Sequence, residues 1–141
     1  MLRALLAASV VAGALVLGVS TSGATGAKVV AFKTPSGNIG CIYSDGPAYL
    51  RCDIRSGLKP RPPHPQDCGE EYGDSVSMSR TGRARLVCHG DTALEPSARV
   101  VAYGATLRVG PFKCTSRTMG LTCSNASAHG WFLSRGSYRL F

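Results

Sequence analysis

Six cysteines and three histidines are the side chains of this sequence that could bind a metal or act as nucleophiles. The cysteines are Cys41, Cys52, Cys68, Cys88, Cys114 and Cys123, and the histidines are His64, His89 and His129. Zinc sites commonly use Cys-x2-Cys pairs, and no such pair occurs here. An even number of cysteines favours disulfides instead in a small chain that begins with a predicted signal peptide, as residues 1–27 do here. We therefore predict no metal site and no bound cofactor.

Hydrolysis is the second chemistry that the residues could support. His89 and Asp91 stand two positions apart, and His129 with a serine could join them in space, because a triad is set by geometry rather than by chain order. However, there is no Gly-x-Ser-x-Gly motif, and six paired cysteines would leave no free thiol. Asp91 followed by Thr92 is also ordinary turn chemistry. The sequence predicts a protein that is not an enzyme, with a small secreted hydrolase as an alternative.

Binding of an anion is the third possibility, since the formal net charge is +8. Such a charge suits an anionic cell-wall polymer or a membrane surface, although basic residues often form a merely solvated face. Nucleic acid is disfavoured because no nucleic-acid-binding motif is visible and export would separate the two. The residues predicted to form an anion-binding face are Arg80, Arg83, Arg85, Arg99, Arg108, Lys113 and Arg117.

The elements that must position these residues are predicted to be strands. Glycine and proline interrupt the chain every few residues, and the segments between them alternate apolar and polar side chains, as in residues 83–88. This pattern predicts a mostly β fold, a small antiparallel β domain of sandwich or barrel type held by disulfides. The proline-rich residues 59–66 should form an extended surface crossover. Trp131 could mark a binding patch, but a terminal strand that packs it in the core is the preferred interpretation.

Two cysteine pairs flank predicted turns. Residues 44–47 read Ser-Asp-Gly-Pro, a turn signal midway between Cys41 and Cys52. The same plan recurs with a shorter loop between Cys114 and Cys123, as a weak internal repeat. Six cysteines allow fifteen pairings, and the spacing favours Cys41–Cys52, Cys114–Cys123 and, by remainder, Cys68–Cys88. The earlier segment Ser36-Gly37-Asn38-Ile39-Gly40 lacks the Lys-Ser/Thr ending of a phosphate loop and is interpreted as a turn entering the first hairpin.

The N-terminus has the three parts of a signal peptide. A single arginine, Arg3, precedes an apolar run, and small residues follow. The run is too short to span a membrane comfortably, because a spanning helix needs roughly 20 apolar residues. We predict a signal peptide helix over residues 1–27, cleaved after Ala24 or Ala27, and a single secreted domain over residues 28–141 without a transmembrane segment.

Ordered blocks of residues resemble a known family of small cysteine-rich proteins from actinobacteria, secreted or associated with the envelope and classed as a domain of unknown function. The blocks lie at residues 32–41, 50–54, 86–92, 103–104, 120–125 and 129–135. The resemblance covers nearly all of the chain after the signal peptide and implies export and a cysteine-paired domain. It implies no activity. Trp131 departs from the resemblance, because another aromatic or aliphatic residue is more usual there.

The predicted function is a secreted, monomeric, non-catalytic binding or structural module of the cell envelope or extracellular space. Its partner would be an anionic wall polymer, a membrane surface or a protein. A third hypothesis, besides the envelope module and the hydrolase, is a secreted inhibitor or effector. It would present the loop Ser44–Tyr49, which lies between Cys41 and Cys52, to a partner protein.

Overall fold

The computed structural model describes residues 25–141, together with Gly18 and Gly23. The predicted signal peptide helix lies almost entirely outside the described residues. Within the described part, the regular structure consists of strands: β1 (Val29–Lys33), β2 (Ile39–Asp45), β3 (Ala48–Ile54), β4 (Ser75–Ser79), β5 (Arg85–Leu86), β6 (Arg99–Val100), β7 (Thr106–Val109), β8 (Phe112–Arg117), β9 (Gly120–Ser124), β10 (Gly130–Leu133) and β11 (Tyr138–Leu140). The described residues include no helix that is long and apolar enough to cross a membrane. The predicted mostly β fold is confirmed.

The strands form two sheets. The first has six strands in the order β5-β4-β3-β2-β1-β6, and the second has five in the order β11-β10-β9-β8-β7. Neighbouring strands run antiparallel except β1 and β6, which are parallel. The second sheet is a simple meander, so its successive hairpin turns alternate between its two ends.

One apolar core is shared by both sheets, which makes the fold a β-sandwich. Alternation along each strand sends every second side chain into this core. Two cross-strand rows show the pattern: Phe32, Cys41, Cys52, Val76 and Leu86 in the first sheet, and Leu107, Cys114, Cys123, Trp131 and Leu140 in the second. Trp131 is fully buried, as the core interpretation predicted.

The disulfides join the three pairs that the spacing favoured. Cys41–Cys52 and Cys114–Cys123 each link directly opposite residues of one hairpin, at the centre of a core row. Cys68–Cys88 ties the proline-rich crossover to the segment after β5. The strand predicted from the alternation of residues 83–88 is short, because only Arg85 and Leu86 pair with β4 and the following His89 forms an isolated bridge to Glu71.

Candidate functional site

Charge is divided unequally between the two sheets. All eight acidic residues lie at or before Glu95, so β7–β11 contain no aspartate or glutamate. The same stretch contains Arg108, Lys113, Arg117, Arg135 and Arg139. The second sheet is therefore the cationic half of the sandwich, and none of its cations can find a carboxylate side chain within its own sheet.

The outward side chains of the second sheet form ordered rows. Residues that pair directly across antiparallel strands project from the same face and lie side by side. The central row is Thr106, Thr115, Thr122, Phe132 and Arg139. The hydroxyl oxygens of Thr106 and Thr115 lie 2.9 Å apart, within hydrogen-bond distance. Three adjacent strands thus present a line of hydroxyl groups, and Phe132 separates this line from Arg139.

A second row places cations beside these hydroxyls. Arg108 pairs directly with Lys113, and Lys113 pairs with Ser124. On β8, Lys113, Thr115 and Arg117 alternate with buried residues, so all three face outward over about 13 Å of strand. Like charges directly opposite each other are destabilising in a sheet. Neither Arg108 nor Lys113 forms a salt bridge with the described residues, so the two create a position at which a bound anion would relieve repulsion.

We call this surface the cationic face: Arg108, Lys113, Arg117 and Arg139 with the threonines of the central row. A groove of about 440 Å³ runs over it, and its lining residues include Lys113, Thr115, Arg117, Thr122 and Phe141. Beside the groove, the Arg139 guanidinium lies 5.5 Å from the centre of the Phe141 ring, a cation–π contact. The groove therefore combines cations, hydroxyls and one aromatic edge.

The structure distributes the predicted anion-binding residues over more than one surface. Arg108, Lys113 and Arg117 belong to the cationic face. Arg85 pairs with Ser77 in the first sheet, on the face away from the core. Arg80 and Arg83 flank a turn after β4 that is tied to the other sheet through the Asn125 side chain, which donates to the carbonyls of Ser79 and Gly82. Arg99 lies in β6, where it lines a separate cleft with Arg108.

Two features of the face were missed from the sequence. Arg139 is absent from the predicted set, and the threonine row was not recognised. Both carry a signal that the sequence does contain. The acid-free stretch after Glu95 marks the cationic sheet, and alternation within β7, β8 and β9 assigns Thr106, Thr115 and Thr122 to the polar side.

The residues of the alternative hydrolase reading are not arranged as a triad. Both ring nitrogens of His89 face oxygen acceptors: Nδ1 lies 2.5 Å from the Asp91 carbonyl oxygen and Nε2 lies 2.8 Å from Asp74 Oδ1. Burial lowers the pKa of His89, but the hydrogen bonds to Asp74 and to the Asp91 carbonyl, with the charge of Asp74, outweigh burial and raise the pKa above 6.5. Since each ring nitrogen of His89 already faces an oxygen of the protein, neither is directed toward a substrate as a general base would be.

The other two residues of the hydrolase hypothesis do not complete a triad with His89: Asp91 is bound by Arg51, and His129 lies in the other sheet. The Asp91 carboxylate accepts a hydrogen bond of 2.6 Å from Arg51, which lowers the pKa of Asp91. His129 belongs to the turn before β10, in the other sheet. Within the part of the chain that the structure describes, no cluster of His, Cys, Asp and Glu could hold a metal ion.

A model for a family of unknown function, DUF6636, matches residues 11–141. The chain belongs to DUF6636. Its resemblance to an uncharacterised family is thereby confirmed, whereas the source and the export that the resemblance implied stay predictions. No curated protein and no solved structure shows a significant match to this DUF6636 chain.

Proposed function

We propose that this DUF6636 protein is a non-catalytic extracellular module that binds an anionic polysaccharide, such as a cell-wall polymer, on its cationic face. One observation carries the proposal: five strands without a carboxylate present cations and a row of threonine hydroxyls on one continuous surface. Three disulfides support an oxidising, extracellular setting.

A polysaccharide suits this face better than a bilayer surface does. Proteins that lie in a membrane interface bury tryptophan, phenylalanine or leucine among the lipid headgroups. Here the central row presents three threonines beside the half-buried Phe132, and the exposed aromatic in the groove, Phe141, lies at one edge. Hydroxyl side chains can hydrogen-bond sugar hydroxyls, and the cations can pair with carboxylates or phosphates along the polymer. The face therefore offers a binding partner for each of the two kinds of group that a charged glycan presents, hydroxyls and anions.

The test is retention of the oxidised protein on immobilised polygalacturonate and on poly(glycerol phosphate) across a salt series, with neutral dextran as the reference. The variant Lys113→Gln/Arg117→Gln removes two charges from the groove. At low salt each exposed ion contact contributes about 1 kcal/mol, so we expect the loss of two to weaken binding about 30-fold. Binding of the unmodified protein should fade at high salt because exposed charges are screened.

The matched control is Arg83→Gln/Arg85→Gln, which removes the same charge from the neighbourhood of the first sheet. We expect it to weaken retention less than about 3-fold, an effect of net charge alone. Equal losses from the two double variants would show that net charge rather than the cationic face governs binding. If the protein is retained on neither of the two anionic polymers, the proposal is refuted.

The loop of the alternative inhibitor reading offers little to a partner. β2 and β3 pair as far as Asp45 and Ala48, so only Gly46 and Pro47 extend beyond the ladder. The backbone N–H of Lys28 also donates to Asp45 Oδ1 over 2.6 Å. A turn this short presents two residues rather than an extended reactive loop, and the cationic face is the better-supported site.

A further inference from the structure

A second concave site lies at one end of the sandwich, beside the cationic face. Turns from both sheets converge there: the β1–β2 turn, the β8–β9 turn at Thr118–Met119 and the β10–β11 turn at Arg135–Gly136. The segment that leads into β7 contributes Tyr103. The resulting cleft has a volume of about 220 Å³. This is below the roughly 300–1,000 Å³ of pockets for drug-sized ligands, so the cleft suits a group of the size of one sugar ring.

The chemistry of this end cleft is that of a site for a small anion-bearing ring. Arg117 and Arg135 both line it, and no carboxylate side chain is among its lining residues. Tyr103 and Met119 remain 45% and 76% exposed, so an aromatic ring and a thioether are available to cover one face of a ligand. Two guanidinium groups without a nearby acid concentrate positive potential in a concave site.

The walls of the end cleft are held by turn chemistry rather than by a ligand. On one side, the Gly37 N–H donates to the Thr34 carbonyl over 2.9 Å, and Gly37 has φ 67°, a conformation that glycine adopts at little cost. On the other side, the Ser134 hydroxyl donates to the Ser137 carbonyl over 2.9 Å and closes the turn that carries Arg135. The cleft is therefore largely formed before a ligand binds, which limits the entropy lost on binding.

Arg117 connects the end cleft to the cationic face, because it lines both the cleft and the groove. The groove begins near Ala128, at the opposite end of the sheet, and reaches Arg117 along β8. One polymer strand lying in the groove would thus arrive at the mouth of the cleft. Resting on the proposed function, we infer that the end cleft is a subsite that holds the terminal acidic sugar unit of the bound polysaccharide, with Arg117 and Arg135 on its carboxylate or phosphate and Tyr103 against its ring.

The experiment titrates the oxidised, isotope-labelled protein with galacturonate and with glucose 1-phosphate, and follows the backbone amides of Gly120 and Gly136 by NMR. Galactose and glucose are the neutral references. We expect both amides to shift with one or both acids and not with the neutral sugars. Which of the two acids binds distinguishes a carboxylate-bearing from a phosphate-bearing unit.

Single substitutions separate the end cleft from the groove. Arg135→Gln removes a cleft cation that does not line the groove, and Arg139→Gln is the matched change on the cationic face. We expect R135Q to weaken binding of the acidic monosaccharide at least 10-fold and retention on the long polymer less than 3-fold. R139Q should leave the monosaccharide affinity within 2-fold.

The two proposals can fail separately. Polymer retention without any acid-dependent amide shift, or equal effects of R135Q and R139Q on the monosaccharide, would overturn the end subsite and leave the proposed function standing. Monosaccharide binding that R135Q abolishes, without polymer retention, would overturn the proposed function and show the cleft to be a site for small acids.

Discussion

Asp53 is a buried carboxylate that fastens a loop onto the outer face of the first sheet. It is 2% exposed and accepts two hydrogen bonds of 2.9 Å from the Arg51 guanidinium. It also accepts from the Thr92 hydroxyl over 3.2 Å and from the Ala93 N–H over 2.7 Å. Residues 91–98 thereby cover this part of the sheet, and we predict that Asp53→Asn destabilises the fold strongly.

The size of the effect follows from what the substitution leaves behind. An asparagine amide in place of one carboxylate oxygen would turn a donor toward donors of Arg51 or Ala93. Removing one partner of a buried ion pair costs about 3–5 kcal/mol. We expect a loss at the lower end of this range, because Arg51 keeps its hydrogen bonds to Asp91. Since small domains have a total stability of roughly 5–15 kcal/mol, the loss would be a large fraction of it.

Urea denaturation of the oxidised protein, followed by Trp131 fluorescence, measures this loss. With an m-value of about 1.5 kcal/mol/M, a loss of about 3 kcal/mol would lower the urea midpoint by about 2 M. The control is Asp91→Asn, which removes the other carboxylate bound by Arg51. The Asp91 side chain is 83% exposed. We expect this variant to lose less than about 1 kcal/mol, as is usual for exposed ion pairs.

A loss below about 1 kcal/mol in Asp53→Asn, or equal losses in the two variants, would refute the reasoning that burial makes Asp53 the dominant partner. A lower m-value in Asp53→Asn would also contradict this reasoning, because a lower m-value would indicate that unfolding is no longer a single transition.

Two further predictions concern redox state and pH. Cys88 is exposed whereas the cysteines of the two hairpin disulfides are fully buried, so mild reductant should open Cys68–Cys88 first, as read by alkylation and mass spectrometry. Full reduction should unfold the domain, because each cross-linked loop contributes about 3 kcal/mol; a reduced protein with unchanged thermal stability would contradict this. Since the pKa of His89 is raised in the folded state, its stabilising contribution is complete below the unfolded value near 6.5 and is lost as pH rises through the folded pKa. The melting temperature should therefore fall across that range, and the fall should be smaller in Asp74→Asn.

The strands and hairpins are the part of the fold that local signals predict well. Alternation of apolar and polar residues and the glycine and proline breaks lie within single segments, so each strand can be recognised without its neighbours. The two hairpin disulfides follow from the same locality, because cysteines on the arms of a short hairpin can meet directly across it. Residues 83–88 show the limit: their alternation predicts a strand, but only two of them pair with β4.

The candidate site was harder to predict from the sequence than the strands were. The arginines of the predicted anion-binding set lie on different surfaces, because the grouping of strands into sheets decides which of them become neighbours. Arg85 joins the first sheet, and Lys113 and Arg117 join the second. The end cleft depends still more on tertiary structure, since Ser36 and Arg135 are far apart in the chain and meet only where turns of both sheets converge.

By itself, the sequence determined the secondary structure class, the disulfide pairing that its spacing favoured, and the excess of cations in the second half. These are properties of single segments or of composition, which the chain carries whatever its fold. Only the tertiary structure decided that the threonines form one row beside Arg108 and Lys113, that Asp53 is buried under a distant loop, and that Arg117 joins a groove to a cleft. Each of these depends on register and on sheet packing, which bring together residues that no local pattern relates.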